Sequence, residues 1–138
     1  MKIKNQKGIA VLMTILILAS ILTVSLGVAD ILNKSVQISK ISQRSSIAFL
    51  AAETGAERIL NLARNNALTE AAFQAGCDGG YIDLDNNVCG DKIYYITPGN
   101  ADYYYKVKYD YNSAPLHTYT IVGYYFNTRR SIEVQYAK

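Results

Sequence analysis

Two cysteines have a chemistry that depends on where the protein resides. Cys77 and Cys89 flank an 11-residue loop that is rich in glycine, aspartate and asparagine. In an oxidising compartment this spacing favours a disulfide, whereas a reducing compartment would leave two free thiols. A zinc site is disfavoured because the chain has no Cys-x-x-Cys pair and His117 lies 28 residues from the nearer cysteine.

Oxygen-bearing side chains alternate inside this loop at Asp83, Asp85 and Asn87. The spacing resembles the start of a calcium-binding loop, and calcium prefers oxygen ligands. However, Val88 stands where such a loop has glycine, and no glutamate follows at the closing position. We therefore expect a solvated acidic loop, with a calcium site at these three residues as the weaker alternative and no other metal site.

Side chains suited to catalysis are few. His117 is the only histidine, and Glu53 and Glu57 have the four-residue spacing that places two carboxylates on one helix face. Exposed helix carboxylates are the commoner explanation of such a pair. The sequence contains no nucleophile elbow and no glycine-rich phosphate loop. We therefore expect no enzymatic activity and no cofactor.

The charge of the chain is concentrated at its start. Lys2, Lys4 and Lys7 account for the whole net charge of +3, and the 11 basic side chains after them equal the 11 acidic ones in number. Nucleic-acid binding needs a concentrated basic face. The sequence therefore predicts no nucleic-acid partner.

The three lysines precede 21 uncharged residues, 9–29. As a helix rising about 1.5 Å per residue, this run reaches about 32 Å, enough to cross a hydrocarbon core of about 30 Å. Lysines on the short N-terminal side keep that end in the cytoplasm. The sequence thus predicts a single-pass protein of the cytoplasmic membrane whose residues after Asp30 lie outside the cytoplasm, where a disulfide is favoured.

The helix should continue past the membrane, because no proline occurs between Gly8 and Asn66. We predict one helix over residues 9–64, with an apolar stripe on its outer part. The stripe consists of Ile41, Ala48, Ala52, Gly55, Ile59 and Leu62. Its small residues make the helix thin and permit close packing against a sheet.

The remainder of the chain has the alternation of β-strands. Residues 102–112 alternate most clearly, with lysines on one face and tyrosines mainly on the other, and we predict further strands over residues 93–97, 117–126 and 131–136. Residues 76–91 form the connection from the helix. The predicted fold class is α+β: a long N-terminal helix packed on a small antiparallel sheet of about four strands within residues 92–137.

The start of the chain also resembles a known family. Lys7-Gly8 followed by Ile9-Ala10-Val11-Leu12-Met13 resembles the class III signal of type IV pilin-like proteins, and the alanine-rich segment 48–57 is similar to the PilX-type assembly group. The resemblance implies a leader over residues 1–8, cleavage by prepilin peptidase between Gly8 and Ile9, and methylation of the new N-terminus. Residues 9–29 would then be a transmembrane and filament-core segment, and residues 30–138 an extracytoplasmic head that includes helix residues 30–64.

Met13 departs from the family pattern. Most pilins that this chain resembles carry a glutamate at the fifth position after the cut, where it meets the α-amino group of a neighbouring subunit. A buried ammonium without that partner would be costly. The departure favours a minor pilin or pseudopilin over a bulk subunit. The resemblance further implies other pilin or pseudopilin subunits, prepilin peptidase and membrane lipid as partners, and a cell-surface or periplasmic filament as the final location.

Two alternatives remain at the sequence level. Gly27-Val28-Ala29 before Asp30 fits the small-residue pattern of a secretory cleavage site, although the apolar run exceeds the length usual for such signals. An uncleaved chain would instead be a single-pass, membrane-anchored extracytoplasmic binding domain that does not polymerise.

Overall fold

The computed structural model describes residues 6–68, 77, 80–110 and 116–137. Its first element is the helix α1, Gln6–Arg64, which confirms the predicted long helix. The helix ends where Asn66 adopts a left-handed conformation with φ 50°. The N–H of Asn66 then donates to Ala63 O at 3.1 Å and that of Ala67 to Leu62 O at 2.9 Å. This double closure satisfies the last carbonyls and terminates the helix.

The chain divides into two compact units, Met1–Lys40 and Ile41–Lys138. The first consists of the N-terminal part of α1. The second contains the rest of α1 and all the strands, and it is the α+β head.

The main sheet of the head has four antiparallel strands, and strands that follow one another in the chain are neighbours in the sheet. The strands are β3 Tyr94–Tyr95, β4 Tyr103–Asp110, β5 Leu116–Tyr125 and β6 Thr128–Ala137. The predicted strands are present, but residues 93–97 pair over only two residues. β6 begins three residues earlier than predicted because Phe126, at φ 49°, and Asn127 alone form the turn.

A second, two-stranded sheet lies in the region predicted to be only a connection. It comprises β1, Ile82–Asp83, and β2, Val88–Cys89, paired antiparallel. Tyr81 also pairs with Lys108 of β4, which attaches this hairpin to the edge of the main sheet. Two-residue strands carry too little alternation to be recognised in a sequence.

The core lies between α1 and one face of the main sheet. Tyr105, Val107 and Tyr109 of β4 and Tyr119 and Ile121 of β5 are buried there, as alternation predicts. Their helix partners include the fully buried residues Ala48, Ala51, Ala52 and Ile59. The predicted stripe is correct from Ala48 onward, but Ile41 is exposed.

Candidate functional site

The N-terminal part of α1 presents an apolar surface with no cover. Every large apolar side chain from Ile9 to Ile38 is more than half exposed in the described chain. The helix is long and apolar enough to cross a membrane, a finding that rests on length and composition. Water disfavours so much contiguous apolar surface, so this segment requires lipid or protein around it.

Hydroxyl groups within the apolar run are satisfied locally. Thr14 donates to Val11 O, Ser20 to Ile17 O, and Thr23 to Ser20 O, each at 2.8 Å. A hydroxyl that bonds to a carbonyl of its own helix costs less to transfer into an apolar medium. These residues therefore do not weaken the membrane interpretation.

The predicted processing site lies at the beginning of this surface. Gly8 is within α1, and a Cβ placed on it would meet no atom within 4 Å. Ile9 and Met13 are both exposed. Both residues that flank the predicted scissile bond are therefore exposed within the N-terminal unit.

A disulfide joins Cys77 and Cys89, whose Cα atoms are 5.4 Å apart. Cys77 is buried in the core, whereas Cys89 is exposed at the end of β2. The Gly80 N–H donates to Cys77 O at 2.9 Å, and the Gly90 N–H donates to Tyr81 O at 3.0 Å. The bridge thus fixes the hairpin of β1 and β2 to the core, and the disulfide prediction is confirmed.

Asp83, the first residue of the weaker calcium alternative, is the centre of a hydrogen-bond network. Its Oδ1 accepts from the Asp85 N–H at 2.9 Å, its Oδ2 accepts from Asn86 Nδ2 at 2.7 Å, and Lys92 Nζ lies 3.0 Å from Oδ1. Burial by itself would raise the pKa of Asp83. The hydrogen bonds from Lys92 and the loop outweigh burial and hold that pKa well below its usual range.

Tyr94, which is buried in the core, also forms a hydrogen bond with the Asp83 carboxylate. Burial raises the pKa of Tyr94 to about 12, so its hydroxyl remains protonated. That hydroxyl donates to Asp83 Oδ1 at 3.1 Å and accepts from the Leu84 N–H at 2.6 Å. Asp83 therefore organises the hairpin turn.

Asp85, the second predicted ligand, is paired with cations. Arg58 of α1 forms an ion pair with it, and Lys92 Nζ lies 2.7 Å from its Oδ2. The Arg58 guanidinium also lies over the Tyr94 ring, 4.8 Å from the centroid. These contacts tie the hairpin to the helix. A pair of carboxylates already facing two cations is poorly suited to calcium, which must compete with them.

Asn87 does not complete a metal site with those carboxylates. It adopts φ 52° in the hairpin turn, and its Oδ1 is buried with no partner among the described atoms. Among the residues that the structure describes, no group of three or more His, Cys, Asp or Glu side chains could hold a metal ion. The geometry thus favours ion pairs at Asp83 and Asp85 over calcium at the three candidate positions.

The other candidate side chains have structural surroundings. His117 Nδ1 lies 2.9 Å from the Tyr109 hydroxyl, and its ring packs on Tyr136 with centroids 5.4 Å apart. Glu53 and Glu57 are exposed on α1. None of the three lies among an arrangement of described residues that resembles a catalytic site.

The sheet face opposite α1 carries aromatic and basic side chains that the sequence did not single out together. The Tyr104 and Tyr124 rings stack with centroids 4.7 Å apart. Lys106 and Lys108 place their ammonium groups 5.1 and 4.9 Å from the Tyr81 ring centroid. The alternation in β4 indicated the lysines, but Tyr81 reaches this face only through its pairing with β4.

Comparison with known proteins identifies no relative: no protein-family model, curated protein or solved structure matches the chain.

Proposed function

We propose that the protein is a minor pilin or pseudopilin subunit, trimmed after Gly8 and assembled into a type IV pilus or a type II secretion-like filament. The observation that carries the proposal is the exposed apolar surface of α1 in a helix that continues into a small α+β head. The protein would act by assembly, with its head displayed outside the cytoplasm.

The apolar surface suits two successive environments. Before assembly, a bilayer covers it, because residues 9–29 match the hydrocarbon thickness. After assembly, equivalent helices of neighbouring subunits would cover it, since helix packing replaces lipid contacts without exposing apolar groups to water. The same 21 residues thus serve as membrane anchor and filament contact.

The position of Met13 supports a minor role. Its thioether provides no carboxylate for the α-amino group of a neighbouring mature subunit, and a bulk filament would repeat that unpaired charge along its core. A subunit used once, at the tip or at initiation, would incur the cost once. The motif preceding it, Lys7-Gly8, supports processing by a prepilin peptidase.

The test replaces Gly8 with leucine. Because a Cβ at Gly8 meets no described atom within 4 Å, Gly8→Leu should perturb peptidase recognition rather than the helix. Gly27→Leu is the matched control, as Gly27 is equally open. Sequencing the mature N-terminus and assaying sheared filaments for the protein and its ratio to the main subunit measure both steps.

We expect the native chain and Gly27→Leu to begin at an N-methylated Ile9, and Gly8→Leu to remain uncut and absent from filaments. A mature N-terminus at Asp30 would identify a secretory signal. Filaments that form normally and contain the uncut Gly8→Leu protein would refute the proposal. If the native protein stays in the membrane, uncut and never in filaments, that result would support a single-pass binding domain.

A further inference from the structure

An open cleft of about 470 Å³ lies on the sheet face opposite α1. This volume falls in the range of sites that bind small molecules. The cleft crosses β4, β5 and β6, and Tyr81 forms one wall. Its lining includes Tyr81, Lys108, Thr120, Tyr124, Arg129 and Ser131.

The cleft is positively charged. Among the described residues, neither Lys108 nor Arg129 has a carboxylate partner within 4.0 Å, and no acidic side chain lines the cleft. Lys106, two residues along β4, is different because its ammonium lies 2.8 Å from Asp91 Oδ2. The Lys108 ammonium lies 4.9 Å from the Tyr81 ring centroid, a contact that does not neutralise its charge. Arg129 lies further along the sheet, because Lys108 is opposite Thr120 of β5 and Arg129 is opposite Tyr124. Both charges are thus available to an anionic ligand.

Arg130 also borders the cleft, but its side chain is engaged elsewhere. Its Nε donates to Ser45 Oγ of α1 at 2.7 Å. The charge directed at a ligand therefore comes from Lys108 and Arg129.

Aromatic rings and hydroxyls complete the lining. The Tyr81 and Tyr124 hydroxyl oxygens are 3.5 Å apart. Burial and the hydrogen bond with Tyr81 raise the pKa of Tyr124 to about 12, so its hydroxyl stays neutral and able to donate. Thr120 and Ser131 add two aliphatic hydroxyls on β5 and β6. The site therefore combines ring faces, hydroxyls and cations within one ligand-sized volume.

We propose that this cleft binds a carboxylate-bearing saccharide. The carboxylate would accept hydrogen bonds from Arg129, and the C–H face of the sugar ring would pack on the side of the Tyr81 ring that the lysines leave open. The sugar hydroxyls would bond to Lys108, Tyr124, Thr120 and Ser131. Rings with a polar edge suit a ligand that has both an apolar face and many hydroxyls. Charge-assisted bonds to the carboxylate supply the discrimination against neutral sugars.

A nucleic-acid strand is the less favoured anionic ligand. Binding a strand requires a basic groove that follows several phosphates. Lys108 and Arg129 line the cleft without a carboxylate partner among the described residues, and Lys106 on the same face is paired with Asp91. Beyond the first three lysines the chain has as many acidic as basic side chains. A single carboxylate suits such a cleft better than a strand that presents several phosphates.

The test is titration calorimetry of the full chain in detergent micelles with sodium glucuronate, glucose and sodium sulfate as probes. We expect glucuronate to bind at least tenfold more tightly than glucose or sulfate. If glucose binds as tightly as glucuronate, the cations do not contribute to recognition. Equal binding of sulfate would indicate an adventitious ion only. Either result overturns the proposal.

Variants locate the binding. Arg129→Gln should weaken glucuronate binding about tenfold, the usual effect of losing one charge-assisted hydrogen bond. Lys40→Gln, an exposed charge in the other compact unit, should leave it unchanged. An Arg129→Gln protein that retains native affinity refutes the assignment. Since Arg129 is exposed, loss of folding does not complicate this variant.

Substitutions at Tyr81 distinguish packing of the sugar on its ring from hydrogen bonding to its hydroxyl. Tyr81→Phe should retain most of the affinity, whereas Tyr81→Ala should lose it, with the near-ultraviolet dichroism of the remaining tyrosines confirming the fold. Equal affinities of the two variants would contradict packing on the ring. The proposal is independent of filament assembly, because binding by the isolated full chain requires no processing at Gly8.

Discussion

Gly123 of β5 lies where the sheet approaches α1 most closely, and replacing it with alanine should destabilise the head. A Cβ at Gly123 would lie 2.5 Å from Ala52 N and 2.9 Å from Ala51 Cβ, and closer still to Ala48 O. Two of these three atoms belong to the helix backbone, which cannot rotate away as a side chain can. The helix and sheet must therefore separate to admit one methyl group.

The expected cost follows from two opposing effects. Inserting a methyl group into a packed core costs about 1–3 kcal/mol, and a backbone obstacle places Gly123→Ala at the upper end of that range. Reduced freedom of the unfolded chain returns about 0.4–1 kcal/mol. The net loss is about 2 kcal/mol, which corresponds to a fall of about 10 °C in Tm for a head of this size.

Gly55 provides a graded comparison from the helix side. A Cβ there would meet Ile121 Cγ2 at 2.6 Å and Tyr105 Cδ2 at 2.7 Å, which are side-chain atoms. Alanine also favours the helix by about 1 kcal/mol relative to glycine. Gly55→Ala should therefore cost only about 1 kcal/mol.

Urea unfolding of the full chain in detergent micelles, followed by near-ultraviolet dichroism, measures this effect. All 12 tyrosines occur at or after Tyr81 and there is no tryptophan, so the signal reports the head. Gly90→Ala is the control, because a Cβ at Gly90 meets nothing within 4 Å. If Gly123→Ala unfolds at the same urea concentration as Gly90→Ala, the close approach of α1 and β5 is wrong.

Two further predictions concern the hairpin of β1 and β2. Cys77→Ser with Cys89→Ser should lower the free energy of unfolding by about 3 kcal/mol, as expected for opening a loop of this size; unchanged electrophoretic mobility of the native protein upon reduction would contradict the bridge. Asp83→Asn should cost about 2 kcal/mol through weaker hydrogen bonds to Lys92 and the turn. Because folding lowers the pKa of Asp83, its contribution is present above the unfolded pKa of about 3.9 and is lost as pH falls below it. The Asp83→Asn head should therefore show a shallower loss of stability between about pH 4 and pH 2 than the native head, and identical acid profiles would refute the role of this carboxylate.

The predicted helix and strands agree with the structure where the signal is local. Tyr105, Val107 and Tyr109 alternate inward because successive side chains of a strand point to opposite faces. The predicted end of the helix at residue 64 agrees with its observed end at Arg64, and the left-handed Asn66 provides the physical basis. Tyr111, near the end of the predicted strand 102–112, lies outside the described residues.

The errors occurred where pairing between distant segments decides the outcome. β1 and β2 are too short to be recognised in the sequence. Asp83 accepts hydrogen bonds within the turn between them, and the disulfide attaches the end of β2 to Cys77 in the core. Ile41 has the spacing of the apolar stripe, yet it lies about two turns before Ala48, where the buried part of the stripe begins, and it remains exposed. Periodicity identifies a helix face but not how far its partner extends.

The candidate sites divide in the same way. Cys77 and Cys89 could be paired from their spacing and expected compartment, but Asp83 and Asp85 could not be distinguished from calcium ligands. Arg58, the cationic partner of Asp85 on α1, is 27 residues away from it in the chain. The sequence offers no signal for a contact over that distance.

By itself the sequence determined an uncharged run of membrane length, an unbroken helix and alternating strands, because each depends on neighbouring residues and their spacing. Tertiary structure alone decided which carboxylates became ion pairs, why Gly123 must be glycine and where Tyr81, Lys108 and Arg129 meet. Tyr81 and Tyr124, for example, are 43 residues apart and come together only when β5 pairs with β4. Such contacts depend on strand register, and register is fixed by the packing of the whole core.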